Sequence, residues 1–375
     1  MIDPANQAQA PVFRGPGGLT FRENCLRAAR REHPAWVPLD FAMSPGFRKH
    51  VFWPRVGEGV NICEHFRFDG RWFGPGPSRL ETPDWRALYY ADGALPNGAS
   101  IDGEWGRAWV HNPETDDDLQ YFPLRNIESV EDVEAYPWPD VGAAYRYEAT
   151  RTQVKAAQDR GLTAHVSGAT VFESVWYLRG FEALMLDMAM DTPAARRLFL
   201  HMAERQVAAS EQAARCGADV VSMGSDLAMQ RGLLMSPTMV RDWVLPMLRD
   251  CIRAAKAANP AVLVDYHSCG NVVALLDDLI EAGIDILNPC QPEAMDIFEL
   301  KRRYRDCLSF HGGIGVQSVL PFGTPAEVRD TVRRTIDIMG EGGGYLCCTS
   351  HMLRPEIPWE NVMALIETVR EYGHP

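Results

Sequence analysis

The stretch VDYHSCGN at residues 264–271 ends an apolar run by presenting His267 and Cys269 two positions apart, just before Gly270. Residues at i and i+2 of an extended segment face the same side. An imidazole nitrogen and a sulfur can therefore aim at one point, and both are zinc donors, the cysteine as its thiolate. Two donors do not make a site, so others must converge from neighbouring segments. The candidates are His351 after the run YLCCTS, Cys347 and Cys348 inside that run, Glu173, Asp226, and His311 before a GGIG turn. His351 is the first choice for a third ligand. Cys347 shares its strand parity but lies deeper, and Cys348 points the other way if the strand is regular. A displaceable carboxylate from Glu173 or Asp226 would make a fourth donor. Each candidate also has a plainer reading. Small buried cysteines fill cores, Asp226 and Glu173 can cap the helices after them, and His311 can be a hydrogen-bonded structural residue.

The elements that must position these groups follow from periodicity. From residue 160 onward, short apolar runs alternate with helical patterns, which implies a parallel sheet. Six such units, with candidate strands at residues 36–41 (WVPLDF) and 59–68 (GVNICEHFRF), bring the count to eight. The expected fold is therefore α/β, a (β/α)8 TIM-type barrel, whose working residues sit where strands end and loops begin. An open doubly wound sheet is the alternative, but no Gly-rich phosphate fingerprint follows the first strand. Helix punctuation is explicit: Ser236 as N-cap with Pro237 at the first position, Pro246 as a kink, Gly217 after a helix end, and a Thr324–Glu327 capping box. Residues 70–140, rich in Trp, Pro, Gly and Asp, read as a β-rich excursion between early strands that could wall a pocket with aromatics. Residues 1–20 read as a flexible arm, leaving 21–375 as a single barrel domain.

Composition excludes several classes. Thirty-seven basic residues face fifty acidic ones, for a formal charge of −13. With no Lys/Arg-rich block, nucleic acid and anionic membrane are not expected partners. No signal-like N-terminus and no 18-residue apolar run are present. Nine scattered cysteines then point to a reducing cytoplasm, with thiols available for metal or chemistry.

Several stretches, in order, carry a family resemblance: SDLAMQRGLLMSPTMVRDWVLPML, HSCGNV, LIEAGIDILNPCQPEAMDIFELKRRY, FHGGIGVQSVLPFGTPAEVRDTV and GGGYLCCTSHMLRPEIPWENV. Together they resemble the uroporphyrinogen decarboxylase superfamily, most closely its zinc-dependent, corrinoid-linked methyltransferase branch. The likeness runs over residues 25–373 and is dense after 160. It implies the same barrel. It also implies zinc held by His267 and Cys269, with His351 standing where that branch has a distant Cys. The decarboxylases carry a paired-arginine M-R-Q-A-G-R motif, but the matching region here is DFAMSPGFRKH, with Arg48 the nearest arginine. The family's GGID turn reads GGIG, with Gly315 in place of the acid. A porphyrinogen polycarboxylate is therefore not the expected substrate.

The resulting expectation is a zinc-dependent methyltransferase moving a methyl group between a small, methylated hydrophobic compound and a thiol or corrinoid acceptor. Asp226 and Glu173 would act as acid/base groups or complete the zinc shell, and Tyr266 and Gln230 would line the pocket. The corrinoid is expected on a separate partner protein, with no cobalamin-binding loop in this chain, and the chain could pair as a homodimer. The alternatives are a metal-independent decarboxylase or lyase of a non-porphyrin substrate using Asp226 and His351, and a non-catalytic binding subunit.

Overall fold

The structure, a computed structural model, describes residues 12–91, 93, 95–112 and 117–374. Its strands in chain order are β1 Gly70–Phe73, β2 Ser100–Ile101, β3 Ala108–Asn112, β4 Asp117–Tyr121, β5 Thr163–Thr170, β6 Val220–Gly224, β7 Ala228–Met229, β8 Gly232–Leu233, β9 Leu263–His267, β10 Ile286–Asn288, β11 Ser309–Ile314 and β12 Tyr345–Thr349. Seven of them form one sheet in the order β1-β5-β6-β9-β10-β11-β12, and every pairing in it is parallel. Helices separate most of these strands and cover the sheet's outer face, while its inner face lines the barrel, so the strands read as near-continuous apolar runs. One large core cluster runs from Val37 to Val369.

The eighth position is filled by the extended chain around Pro38–Met43. It makes parallel bridges from Leu39 to Cys347 and from Met43 to Leu353. Cys347 N donates to Pro38 O at 2.8 Å, and Asp40 N to Cys347 O at 3.2 Å. On its other side the link to the chain before β1 is a side chain. The Asp69 carboxylate accepts from Leu39 N at 3.1 Å and from Trp36 Nε1 at 3.0 Å. The fold is thus a (β/α)8 TIM-type barrel with a β-rich excursion between its early strands. The strand expected at 36–41 is an extended segment that bridges β12 on one side, while on the β1 side the Leu39 N–H is taken by the Asp69 carboxylate and not by a strand carbonyl.

The strand expected at 59–68 is also corrected. Asn61 caps a short helix, Ile62–His65, by accepting from Cys63 N and Glu64 N, and the barrel strand begins only at Gly70. Phe66 and Phe68 are buried, so their alternation imitated a strand, while the Asn61 side chain offered the backbone a helical start instead. The excursion begins after Phe73, since 70–73 belong to the barrel. It holds the antiparallel sheet β2-β3-β4 and a small core of its own around Tyr90, Leu95 and Ala108.

Residues 12–20 are not a loose arm. Phe13 N donates to Arg160 O, Phe21 N to Phe13 O, and Arg14 bridges Thr20. The rest of the expected arm, 1–11, lies outside the described residues. Helix signals hold: Ser236 Oγ accepts from Met239 N, and the Thr324–Glu327 box is closed in both directions. The kink expected at Pro246 takes the form of a π turn, Val240–Val244, just before it, which absorbs the missing N–H. Among the described residues no helix is long and apolar enough to cross a membrane.

Burial pushes the Asp69 carboxyl up to about 7, against the two hydrogen bonds that favour its anion. An unfolded aspartate titrates near ~3.9. The folded value is raised, so the stability this group contributes is complete below about pH 4 and is lost as pH rises through 7. Asp69→Asn leaves one acceptor oxygen for two donors and should cost about 1–3 kcal/mol at pH 5. Urea titrations should show the gap between wild type and variant narrowing from pH 5 to pH 8.

Candidate metal centre

The carboxyl ends of β6 and β9 lie side by side, with Gly224 paired to His267. Just beyond them the chain is tightly cross-bonded. Ser225 N donates to His267 O at 2.9 Å, and Leu227 N to Ser268 Oγ at 3.1 Å. Gly270 has φ +85, and a Cβ there would lie 2.6 Å from the Ala228 carbonyl. Only glycine fits that approach, and it turns the chain away once Cys269 has been delivered.

Asp226, His267 and Cys269 come together here, with one ligand atom from each lying within 4.8 Å of the others. Cys269 Sγ is 3.5 Å from His267 Nε2, and Asp226 Oδ1 is 3.7 Å from the same nitrogen. Asp226 is held from two sides. Its Oδ1 accepts from Cys269 N at 2.8 Å, and its own N–H donates to Glu173 Oε1. The other Glu173 oxygen is buried without a partner. Among the described residues no Lys or Arg bonds to any of these groups. Burial, then the nearby Asp226 and Glu173 carboxylates, push the Cys269 thiol up to about 12. Two carboxylates, a thiol and an imidazole with no balancing cation are a donor set suited to a divalent ion, and the set fits zinc.

The other expected residues fall outside this group. His351 is exposed on the same rim. Its pKa is lowered first by desolvation and then by His267, with Asp226 opposing, so it is a neighbour of the cluster but does not share its focus. Tyr266 is fully buried, with its hydroxyl 3.5 Å from Ser225 O, and lines no open surface. Gln230 is exposed and bonds Gln317. The parity expected for the paired cysteines is reversed: Cys348 faces the barrel interior, grouped with Asp40 and His311, while Cys347 pairs with Leu39 in the wall. The cobalamin-binding motif D-x-H-x-x-G, not expected in this chain, does occur as a string at Asp265–Gly270. It begins on a ladder-bonded strand, and Asp265 bonds His311 and not His267.

Spacing alone missed the groups behind His267. Asn288, ending β10, takes the His267 Nδ1 proton on Oδ1 at 2.6 Å, which leaves Nε2 as the ligand atom. Asn288 Nδ2 donates to His311 O at 3.2 Å. His311 in turn sits between Asp265 Oδ2, 3.2 Å from Nδ1, and Asp40 Oδ1, 2.9 Å from Nε2. The available signal was a polar residue closing an apolar strand: ILN for Asn288, WVPLD for Asp40. Around the mouth Trp72, Met229 and Met352 are exposed apolar groups, with Trp72 stacked on His165 at 4.6 Å.

A barrel with this donor set at its carboxyl end defines the class, and sequence comparison adds the family. The pattern described as "Uroporphyrinogen decarboxylase (URO-D)" matches residues 120–372, and the chain belongs to that family. A uroporphyrinogen decarboxylase from Hahella chejuensis (strain KCTC 2396) is 28% identical over 100 residues, 27% of each protein. The matched part spans only about a quarter of that relative. A methyltransferase from Methanosarcina mazei has the same fold, with a TM-score of 0.64 and 16% identity over 94% of this chain and 99% of that one.

Asn288→Ala removes the acceptor that orients His267. Losses of this kind cost about 10–100-fold in metal affinity. Competition for zinc against a chelating dye should show a drop of that size, with the far-ultraviolet circular dichroism unchanged.

Proposed function

We propose that this protein is a zinc-dependent methyltransferase. It would move a methyl group between a small, methylated hydrophobic compound of the methoxyarene kind and a thiol or corrinoid acceptor. The observation that carries this reading is the convergence of His267 Nε2, Cys269 Sγ and an Asp226 oxygen at the carboxyl end of the barrel. The likeness in fold to a methyltransferase supports it.

His267, Cys269 and Asp226 would hold the zinc. When bound, the ion supplies Lewis acidity that favours a substrate thiolate or stabilises an oxygen leaving group. Three protein donors suit a catalytic site, which keeps a position for substrate. The chain's own groups do the rest. Asn288 fixes the His267 tautomer, and Glu173 holds the Asp226 main chain in place. His351, its pKa lowered, is neutral near pH 7 and can accept the proton that a substrate thiol gives up. Methyl transfer is an in-line displacement, so its rate depends on how well donor and acceptor are lined up. Trp72, Met229 and Met352 offer apolar surface at the mouth for a hydrophobic methyl carrier. A corrinoid acceptor would arrive on a partner protein.

The position of His351 outside the donor set favours a second reading, a metal-independent decarboxylase or lyase with Asp226 and His351 as proton carriers. Metal analysis separates the two. Protein purified without chelator should hold about one zinc per chain and transfer methyl groups from methoxyarenes or to thiols. Cys269→Ala should lose most of the metal and the activity together. Cys347→Ala should cost only about 1 kcal/mol of packing. His351→Ala should keep the metal while slowing turnover. Full activity in the Cys269 variant, or native protein that holds no metal and gains nothing from zinc, would overturn the zinc reading.

A further inference from the structure

At the amino end of the barrel, opposite His267, the segment 12–21 crosses beneath the strands and arginines gather around it. Three of them are paired with two carboxylates. Arg22 pairs with Asp219 at 2.7 Å, Arg71 with Glu64 at 2.7 Å, and Arg160 with Glu64 at 2.9 Å. Among the described residues the other three, Arg14, Arg67 and Arg370, pair with no carboxylate. Those three line one cavity of about 320 Å³, and the paired three do not. We propose that this cavity is a binding site for a small oxyanion of the phosphate or pyrophosphate class, gripped by Arg14, Arg67 and Arg370.

The acids nearby are already committed. Glu23, close to Arg14, accepts from Thr20 N at 2.7 Å and from Thr20 Oγ1 at 2.8 Å. Asp69, in the cavity wall, spends its two oxygens on Trp36 and Leu39. Burial raises its carboxyl to about 7, which weakens its claim on the arginines. Arg14 and Arg370 each use one nitrogen on a carbonyl, Gly18 O and Phe66 O, and keep the rest of the guanidinium. Among the described residues the Arg67 side chain finds no hydrogen-bond acceptor. Its guanidinium lies over Phe13 and Phe21, 5.6 and 5.7 Å from the ring centres. Its backbone has φ +49, an unfavourable state for a residue with a β-carbon. Arg370 has its pKa lowered by desolvation and by the like charge of Arg67. The remaining polar wall, His374, turns its ring nitrogens to Arg370 O and Ala35 O.

Guanidinium forks match the oxygens of a phosphate. Arg14, Arg67 and Arg370 are exposed, so water solvates them in the free protein, and an oxyanion between them would replace that water with charge-assisted hydrogen bonds. The volume is at the small end of ligand pockets, which suits one or two phosphate groups and little more. In this fold chemistry belongs to the carboxyl end, so the ligand here would be an effector or stabiliser and not the substrate.

The test uses full-length protein stripped with chelator, so that an oxyanion has no zinc to bind. Calorimetry and thermal melts would be run with potassium pyrophosphate and with phosphate, against potassium chloride of equal ionic strength. Saturable binding near one per chain and a rise in Tm absent in chloride are expected. Arg67→Gln, which breaks no hydrogen bond, should weaken binding at least tenfold. Arg14→Gln should weaken it too, and Arg71→Gln, removing a paired arginine outside the cavity, should leave it unchanged. No saturable binding of either anion, or equal binding by the Arg67 and Arg14 variants, would overturn the proposal. Loss of binding in the Cys269→Ala variant would also overturn it, by moving the anion to the other end of the barrel.

Discussion

A protonated imidazole between two carboxylates, sealed inside the barrel, is the interaction on which the rest depends. His311 on β11 faces Asp265 on β9 and Asp40 on the extended first segment. The two carboxylates raise its pKa well above the ordinary value in spite of burial. One side chain therefore ties together three of the eight staves, including the extended first segment, whose link toward β1 is a side chain. Breaking a buried ion group of this kind leaves charge uncompensated, which typically costs about 3–5 kcal/mol. The same residue accepts from Asn288, and Asn288 holds His267. The orientation of the candidate ligand at the mouth is thus set through Asn288, whose amide is anchored on the main-chain carbonyl of His311. Apolar packing alone would close a barrel but would leave the His267 ring free to turn.

The character of the mouth follows from the same accounting. Inside the barrel each carboxylate meets a cation or several donors. At the rim Asp226 and Glu173 accept from main-chain N–H groups, with the His267 imidazole 3.7 Å from Asp226. The imbalance is local, and the half-exposed donors are open to a metal ion, whose binding favours the deprotonated thiol.

Much of this was legible in the sequence wherever a local rule had no competitor. The alternation after residue 160 located the strands, and H-x-C at a strand end located two side chains that the structure brings together. Glycine at 270 announced the turn, and Thr324 with Glu327 announced a helix start. What the sequence hid depended on partners distant along the chain. Nothing near Asn288 says that its amide bridges two histidines. Nothing near Asp40 says that it faces His311, 271 residues away. The paired cysteines were misassigned because strand parity counted back from His351 fails once the chain leaves β12 at Thr349. At 59–68 a hydrophobic alternation was genuine burial, but Asn61 turned the backbone helical.

The excursion between β1 and β5 adds a last consequence. Those two strands hydrogen-bond directly to each other in register, although about ninety residues separate them in the chain. The excursion carries its own sheet and its own small core, so the barrel ladder does not run through it. Two kinds of inheritance can then proceed at different speeds in one gene. The outer sheet β2-β3-β4 can drift or lengthen, whereas Trp85, Leu124, Val133 and Tyr136 of the same tract are tied into the barrel core. The strand ends that would carry out the reaction are held fixed by the buried imidazole below them.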